Sequence, residues 1–343
     1  MTSQAIKDLI EISQYAGGRV DYTQGGGGNT SVKDGNVMYI KASGFKLVDI
    51  SENTAYVPMD LKMIREFLCG VDLSDGKDHE AENKKVTAEA TLQTEGLQPL
   101  RPSVEVGFHS VLKKYVIHTH SVYANLLTCS LNGKDIAAEI FKGADFGYIF
   151  MPYIDPGFTL SVKMKDAIEE YEAKNGKFPE VIFMQNHGLV VTADELERVK
   201  KINEEVNGKI VAYFGLKDAY RSVSLKCVGE NKFESQTPTV VDFVKGSPLT
   251  KAMLDEYPLY PDQLVYLNNV LAFAPEKMQA QNGTVVYNTN AKEAQTLEET
   301  LFAYLFVINT LKAKGLGIST MSEKDVDFIN NWEAEKYRRS LSK

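Results

Sequence analysis

Tyr115-Val116-Ile117-His118-Thr119-His120 is the stretch that decides how this chain is read. An apolar, strand-forming run leads into two histidines separated by one residue. Side chains alternate between the two faces of a strand, so His118 and His120 point to the same side. Two imidazoles so placed can grip one metal ion, and a third can come from a distant strand end. Asn186-His187-Gly188, between the strand candidates 181–184 and 189–191, offers that third ligand. Three neutral imidazoles leave a coordination position open, as a catalytic zinc site does. The alternative for each histidine is a buried side chain bonded to backbone, and the pattern alone leaves both readings open.

Upstream, Ser103-Val104-Glu105-Val106-Gly107-Phe108-His109 adds a carboxylate. Pro102 predicts a helix start with Ser103 at its N-terminus and an end near Lys114. Glu105 and His109 then share a helix face. Glu105 reads either as an acid/base beside a metal or as a carboxylate complementing the helix dipole. His109 and His79 are poorer ligand candidates. His79 falls in the charged stretch 74–98, where a solvated side chain is expected.

Gln24-Gly25-Gly26-Gly27-Gly28-Asn29-Thr30-Ser31 is a glycine-rich turn ahead of a strand. Glycines let backbone N–H groups approach an anion closely. The stretch matches neither the Walker pattern nor the Rossmann fingerprint, and a plain hairpin loop is the competing reading. Ala42-Ser43-Gly44, after the strand candidate 37–41, could add a hydroxyl and an N–H to the same pocket, or be an ordinary strand-end turn. Lys41 and Arg101 are candidate cations nearby, with solvated surface charge as the default.

Composition narrows the field. The 343 residues are 43% hydrophobic and 24% charged, ordinary values for a globular protein. A net charge of −8 gives no basic field to hold nucleic acid. Cys69, Cys129 and Cys227 are scattered and form no CxxC motif, which suits a reducing cytosol and predicts a cytoplasmic protein. Lys7, Asp8 and Glu11 break any signal-peptide core, and no apolar run approaches the roughly 20 residues that span a bilayer. No membrane partner is expected.

Periodicity predicts a helix over 3–17, strands over 37–41 and 55–59, and a helix within 80–94 of what reads as an insertion, 74–98. Thr192 and Glu195 read as a capping box opening a helix to about Phe214. Residues 228–262 read as a surface linker. Helices are expected over 291–314 and 322–340, with Asn331 to Arg339 as the polar end of a docking helix. Strands and helices do not alternate cleanly, so a mixed, largely antiparallel sheet between helices is expected. The expected division is a metal-binding catalytic domain, 1–225, and a linker with a C-terminal extension of unknown role, 226–343.

Taken in order, Asn29-Thr30-Ser31, Ser43-Gly44, Ser103-x-Glu105-x-x-x-His109, His118-x-His120 and Asn186-His187-Gly188 resemble the class II aldolase/adducin N-terminal domain family, over roughly residues 1–220. The glycine-rich stretch looks particularly like the aldolase part of long proteins that fuse such a domain to a short-chain dehydrogenase. The resemblance implies an α/β fold, a three-layer α/β/α sandwich with a mixed, mainly antiparallel central sheet. It implies a divalent metal, usually Zn2+, on His118, His120 and His187, and Glu105 as catalytic acid/base. Gly28, Asn29, Ser43, Gly44 and Ser103 would match the family's phosphate pocket. A homo-oligomer, commonly a tetramer, is implied too.

One departure is Val104, where the sugar-phosphate aldolases usually carry a second serine. A leaving-aldehyde proton donor is not placed by the motifs, though Tyr153 lies nearby in sequence. The leading expectation is a metal-dependent aldolase that cleaves a ketose or ketose 1-phosphate through a metal-stabilised enediolate. The rivals are a pentulose-phosphate 4-epimerase or related sugar-phosphate lyase on the same metal site, and a non-catalytic adducin-like scaffold.

Overall fold

In the computed structural model, which describes residues 3–220 and 222–331, the run from Tyr115 forms the central strand of a seven-stranded sheet. The strands are β1 (Asn29–Asp34), β2 (Val37–Lys41), β3 (Tyr56–Asp60), β4 (Tyr115–Thr119), β5 (Gly147–Met151), β6 (Pro179–Met184) and β7 (Gly188–Ala193). They lie in the order β3-β2-β1-β4-β7-β6-β5. Only β5 and β6 run parallel; every other pair is antiparallel. β4, β6 and β7 are buried along their whole length, which is why they read as continuous apolar runs.

Helices cover both faces. They are α1 (Gln4–Gly17), α2 (Leu61–Gly70), α3 (His79–Glu89), α4 (Val106–Val111), α5 (Val122–Thr128), α6 (Gly133–Ile140), α7 (Phe158–Asn175) and α8 (Leu196–Phe214). Tyr115 and Ile117 of β4 pack with Leu9 and Ile12 of α1, Leu126 of α5 and Ile202 of α8. Val116, on the opposite face, packs with Phe108 of α4 and Leu160 and Met164 of α7. The result is the expected three-layer sandwich. Caps are local: Asp60 accepts from Met63 N–H at 3.0 Å to start α2, and left-handed Gly176 and Gly215 end α7 and α8.

Several local expectations fail. Pro102 starts no helix; it bridges to Ala42, and α4 begins only at Val106 with Glu105 as its N-cap residue. The rigid ring of Pro102 serves an extended strand-like pairing instead. Thr192 and Glu195 form no capping box. Thr192 belongs to β7, where its hydroxyl donates to the Tyr115 carbonyl at 3.0 Å, and Glu195 caps α8 without a side-chain bond. His79 is buried rather than solvated: Asp75, in the loop before α3, at 2.7 Å and Glu82, one turn along α3, at 3.1 Å enclose its ring.

Residues 228–262 are not a bare linker either. They contribute to β8 (Leu225–Gly229) and form β9 (Lys232–Ser235), α9 (Pro238–Gly246) and α10 (Lys251–Glu256). Beyond them come α11 (Asn269–Phe273), β10 (Met278–Gln281), β11 (Thr284–Tyr287), α12 (Ala291–Ala313) and α13 (Glu323–Asn331). A second sheet, β10-β11-β9-β8, results. The Ser, Thr and Pro content of 228–262 made this edge look like loop, and its strands are short and half exposed. α12 is buried nearly all round and packs against α5 of the main domain. Phe302 stacks on Tyr220 with ring centroids 4.2 Å apart. The docking-helix reading of Asn331 to Arg339 falls, from Trp332 onward, outside the described residues.

Candidate metal centre

The register of β1 on β4 sets the site. Asn29 pairs with His118, and His118 pairs with Val190 on the other side. His118 therefore emerges on the Val116 face, edge-on to Phe108. His120 follows two residues later at the strand's end. His187 enters from the tight β6–β7 turn, where Asn186 takes a positive φ of 52° and Gly188 fits against the Thr119 carbonyl.

The three rings converge. Each offers a nitrogen, and these atoms lie within 4.8 Å of one another. His118 and His120 present their Nε2 atoms 3.2 Å apart. The outer nitrogens are tied back: His118 Nδ1 donates to the Leu189 carbonyl at 3.0 Å, and His120 Nδ1 to Asp262 Oδ2 at 2.5 Å. Those bonds leave the Nε2 lone pairs aimed into the cluster, the tautomer that metal ligation requires. Glu105 completes the group. Its Oε2 lies 3.5 Å from His118 Nε2 and its Oε1 3.3 Å from His187 Nε2.

Electrostatics agree with this arrangement. Burial pushes the imidazoles of His118 and His187 down, the latter to about 3, so both are neutral near pH 7. Burial works to raise Glu105, but His118, His187 and the Asn29 amide outweigh it and hold the carboxylate at about 2. Oε1 of Glu105 is buried without a hydrogen-bond partner among the described residues. A buried carboxylate oxygen without a hydrogen bond, beside converging imidazole nitrogens, is costly in a protein interior. A divalent cation among them answers every one of these groups, so the donor set fits such an ion.

Asn29 and His109 orient Glu105. The Asn29 amide donates to Glu105 Oε2 at 2.5 Å and to Ser103 Oγ at 3.1 Å, and its Oδ1 faces His109 Nε2. His109 Nδ1 meets Ser31 Oγ at 2.7 Å. His109 thus sits outside the trio, in a buried relay behind Glu105.

One cleft brings together Gly28, Asn29, Ser43, Gly44, Ser103, Val104, Glu105, His120 and His187; His118 lies beneath, fully buried. The Ser43 N–H is not offered to that cleft, since it donates to the Arg101 carbonyl at 2.8 Å. Lys41 is buried instead of solvated: its ammonium donates to the Phe45 carbonyl at 2.6 Å and to Gly26 at 3.3 Å, tying down the glycine loop. Arg101 lines a neighbouring cavity of about 510 Å³ that shares Ser43, Ser103 and Val104 with the cleft. Tyr153 packs with Leu264 and Met321 instead of lining the cleft.

Sequence reasoning missed Asp262. It is buried, lines the cleft and comes from the stretch read as linker. Its only advance signal was a carboxylate directly after Pro261, too common to single out.

Residues 7–208 match the family described as Class II Aldolase and Adducin N-terminal domain. The chain belongs to this family. The histidine trio and Glu105 all fall within the matched residues; Asp262 does not. Among curated proteins, the uncharacterized oxidoreductase YuxG of Bacillus subtilis (strain 168) is 25% identical over 296 residues. That match covers 81% of this chain, a larger share than residues 7–208 make up, so similarity reaches beyond the family domain. It covers 40% of YuxG, so the chain spans about two fifths of that relative's length. Among solved structures, the N-terminal class II aldolase domain of a conserved protein from Thermoplasma acidophilum is 22% identical with a TM-score of 0.50. The match covers 62% of this chain and 94% of that one, and it shows the fold. A structure of an L-fuculose 1-phosphate aldolase is 23% identical, covering 66% of this chain and 92% of that one, with a TM-score of 0.42. Among the described residues no helix is long and apolar enough to cross a membrane.

Proposed function

We propose that this chain is a metal-dependent aldehyde-lyase that cleaves a ketose or a ketose 1-phosphate by a retro-aldol reaction. The convergence of three imidazole nitrogens on the buried, ionised Glu105 carries this reading. His118, His120 and His187 would hold the divalent ion, and zinc suits an all-imidazole set. Bound there, the ion supplies Lewis-acid polarisation of the substrate carbonyl.

The protein's own groups do the rest. In the cleavage direction the ionised Glu105 carboxylate takes the C4 hydroxyl proton, the C3–C4 bond breaks and the aldehyde leaves. Glu105 then delivers that proton to C3 of the remaining fragment. In the reverse direction the same carboxylate removes that proton, a task for which an ionised group is ready. Asn29, braced by His109, holds Glu105 in place through both steps. Gly28, Asn29, Ser43, Gly44 and Ser103 line the cleft beside it and would receive hydroxyls or a phosphate. The cavity beyond Ser43 and Ser103 gives room for the rest of a substrate. A homo-oligomer belongs to the same reading, and light scattering reads it.

The test is an NMR time course in D2O on a panel of ketoses and ketose 1-phosphates, with metal-loaded protein and an EDTA control. The expected result is a three-carbon ketone fragment carrying deuterium plus an aldehyde, both abolished by EDTA. A new sugar isomer without fragments would replace this reading with epimerisation. Metal-loaded protein inert to the whole panel would count against the lyase.

A further inference from the structure

Three parts of the metal centre, His120, the glycine loop and the turn carrying His187, are bonded to the C-terminal extension. His120 Nδ1 donates to Asp262 Oδ2 at 2.5 Å. In the glycine loop, the Gly25 N–H donates to Glu299 Oε2 at 2.7 Å, and Thr296 packs against the same residue. At the turn carrying His187, the Asn186 amide donates to the carbonyls of Leu259 and Ser319, each at 2.8 Å, and accepts from Ser319 Oγ at 3.0 Å. Leu259, Asp262, Glu299 and Ser319 all lie outside residues 7–208.

We infer that the extension is a built-in organiser of the metal centre, with Asp262 as the positioning residue that locks His120 in its ligating tautomer. The inference rests on the proposed metal reading and adds the part of the chain that makes the site rigid. A neutral imidazole has one N–H and one lone pair, and only one of its two tautomers aims the lone pair at the cluster. Asp262, as a carboxylate, accepts and cannot donate, so it selects the Nδ1–H form. Carboxylates behind metal-bound histidines fix ring orientation and raise ligand basicity, and their loss typically costs 10–100-fold in metal affinity.

Two further observations show that this contact is built in. Asp262 is 2% exposed, and an added Cβ on Gly27 would come within 2.7 Å of His120 Nδ1 and press on Asp262, so only glycine lets the loop pass over the pair. Asn186 holds a left-handed backbone that non-glycine residues seldom take, and its own amide is saturated by the extension. The turn that aims His187 therefore depends on Leu259 and Ser319.

The experiment uses the full chain, with and without metal. Side-chain 15N NMR of the metal-free protein reads the His120 tautomer, and Co2+ titration followed by visible absorption reads affinity and geometry. The variants are Asp262→Asn, which keeps the shape, Asp262→Ala, and, as a control, Asp242→Asn at an exposed side chain of α9. We expect Asp262→Ala to lose the Nδ1–H preference and to bind Co2+ about 10–100-fold more weakly with an altered spectrum. Asp262→Asn should fall between it and the wild type, and the control should match the wild type. Unchanged tautomer and affinity within twofold in both Asp262 variants would overturn the inference, as would equal weakening in the control. If the wild-type chain takes up no Co2+ yet the tautomer shifts in the variants, the positioning role stands and the metal reading falls.

Discussion

The two sides of the metal centre are built by different means. On one side, strand register does the placing: β1 against β4 sets Asn29 opposite His118, and a tight β6–β7 turn delivers His187. On the other, Leu259 and Ser319 arrive from segments between helices and Asp262 from the first turn of a helical run over 261–273, all far away in sequence. Chemistry sits on the periodic sheet side and alignment on the extension. A rigid sheet can hold ligands at fixed spacing, but the turn and loop at its edge need outside contacts to keep their aim.

The largest effects should therefore come from the periodic side. Glu105→Gln keeps the shape of the carboxylate and removes its proton chemistry, so turnover should drop about 10²–10⁴-fold while one ion per chain remains. His120→Ala should lose the ion itself, as read by metal analysis after dialysis. Full activity in the first variant, or undiminished metal in the second, would break the division of labour between carboxylate and imidazoles.

That division also explains what could be read in advance. His118 and His120 were legible because alternation in a strand fixes their common face whatever surrounds them. Asn186-His187-Gly188 was legible because a turn between two apolar runs has a short list of residues that fit. Glu105 was found, but for a partly wrong local reason: the helix it was thought to lie in starts one residue later, so its side chain turns toward the histidines as the chain enters α4. Lys41 was misjudged because a lysine is almost always solvated, and only the glycine loop folding back onto it makes its burial visible. Asp262 lay beyond reach, since its role depends on a partner 142 residues away and no spacing rule links them.

The extension can also be tested as packing. Phe302 is 2% exposed and stacks on Tyr220 at the seam between α12 and the main domain. Phe302→Ala should cost about 3–5 kcal/mol, through lost burial and the cavity left behind. If the extension and the sheet share one core, a single cooperative unfolding transition should move to lower denaturant. A separate early transition confined to the extension would make it a detachable module and sharpen the contrast with the strands.

Acid should act on the histidine side next. Metal-free folded protein keeps His187 neutral down to about pH 3, whereas the unfolded chain protonates it near 6.5. Between those values the unfolded state binds the extra proton, so stability is full above pH 6.5 and declines as pH falls. From pH 7 to pH 5 the loss from His187 alone is about 2 kcal/mol, with His118 shifted in the same direction. Urea midpoints of the EDTA-treated protein at the two pH values check this. A flat profile would mean that the rings are protonated in the folded state and are not poised to ligate.

The smallest effect should come from a histidine that resembles the others only in being buried. His79 sits at the start of α3, and its ring is held by Asp75, Glu82 and the Asp72 carbonyl. None of these contacts reaches the cleft, whose lining draws on the glycine loop, the segments after β2 and before α4, and the extension. His79→Ala should leave metal content at one ion per chain and turnover within twofold of the wild type, with any loss confined to local protection of residues 72–90 in hydrogen exchange. A drop in bound metal would mean that burial among carboxylates, not convergence on a strand face, is what marks a working histidine in this chain.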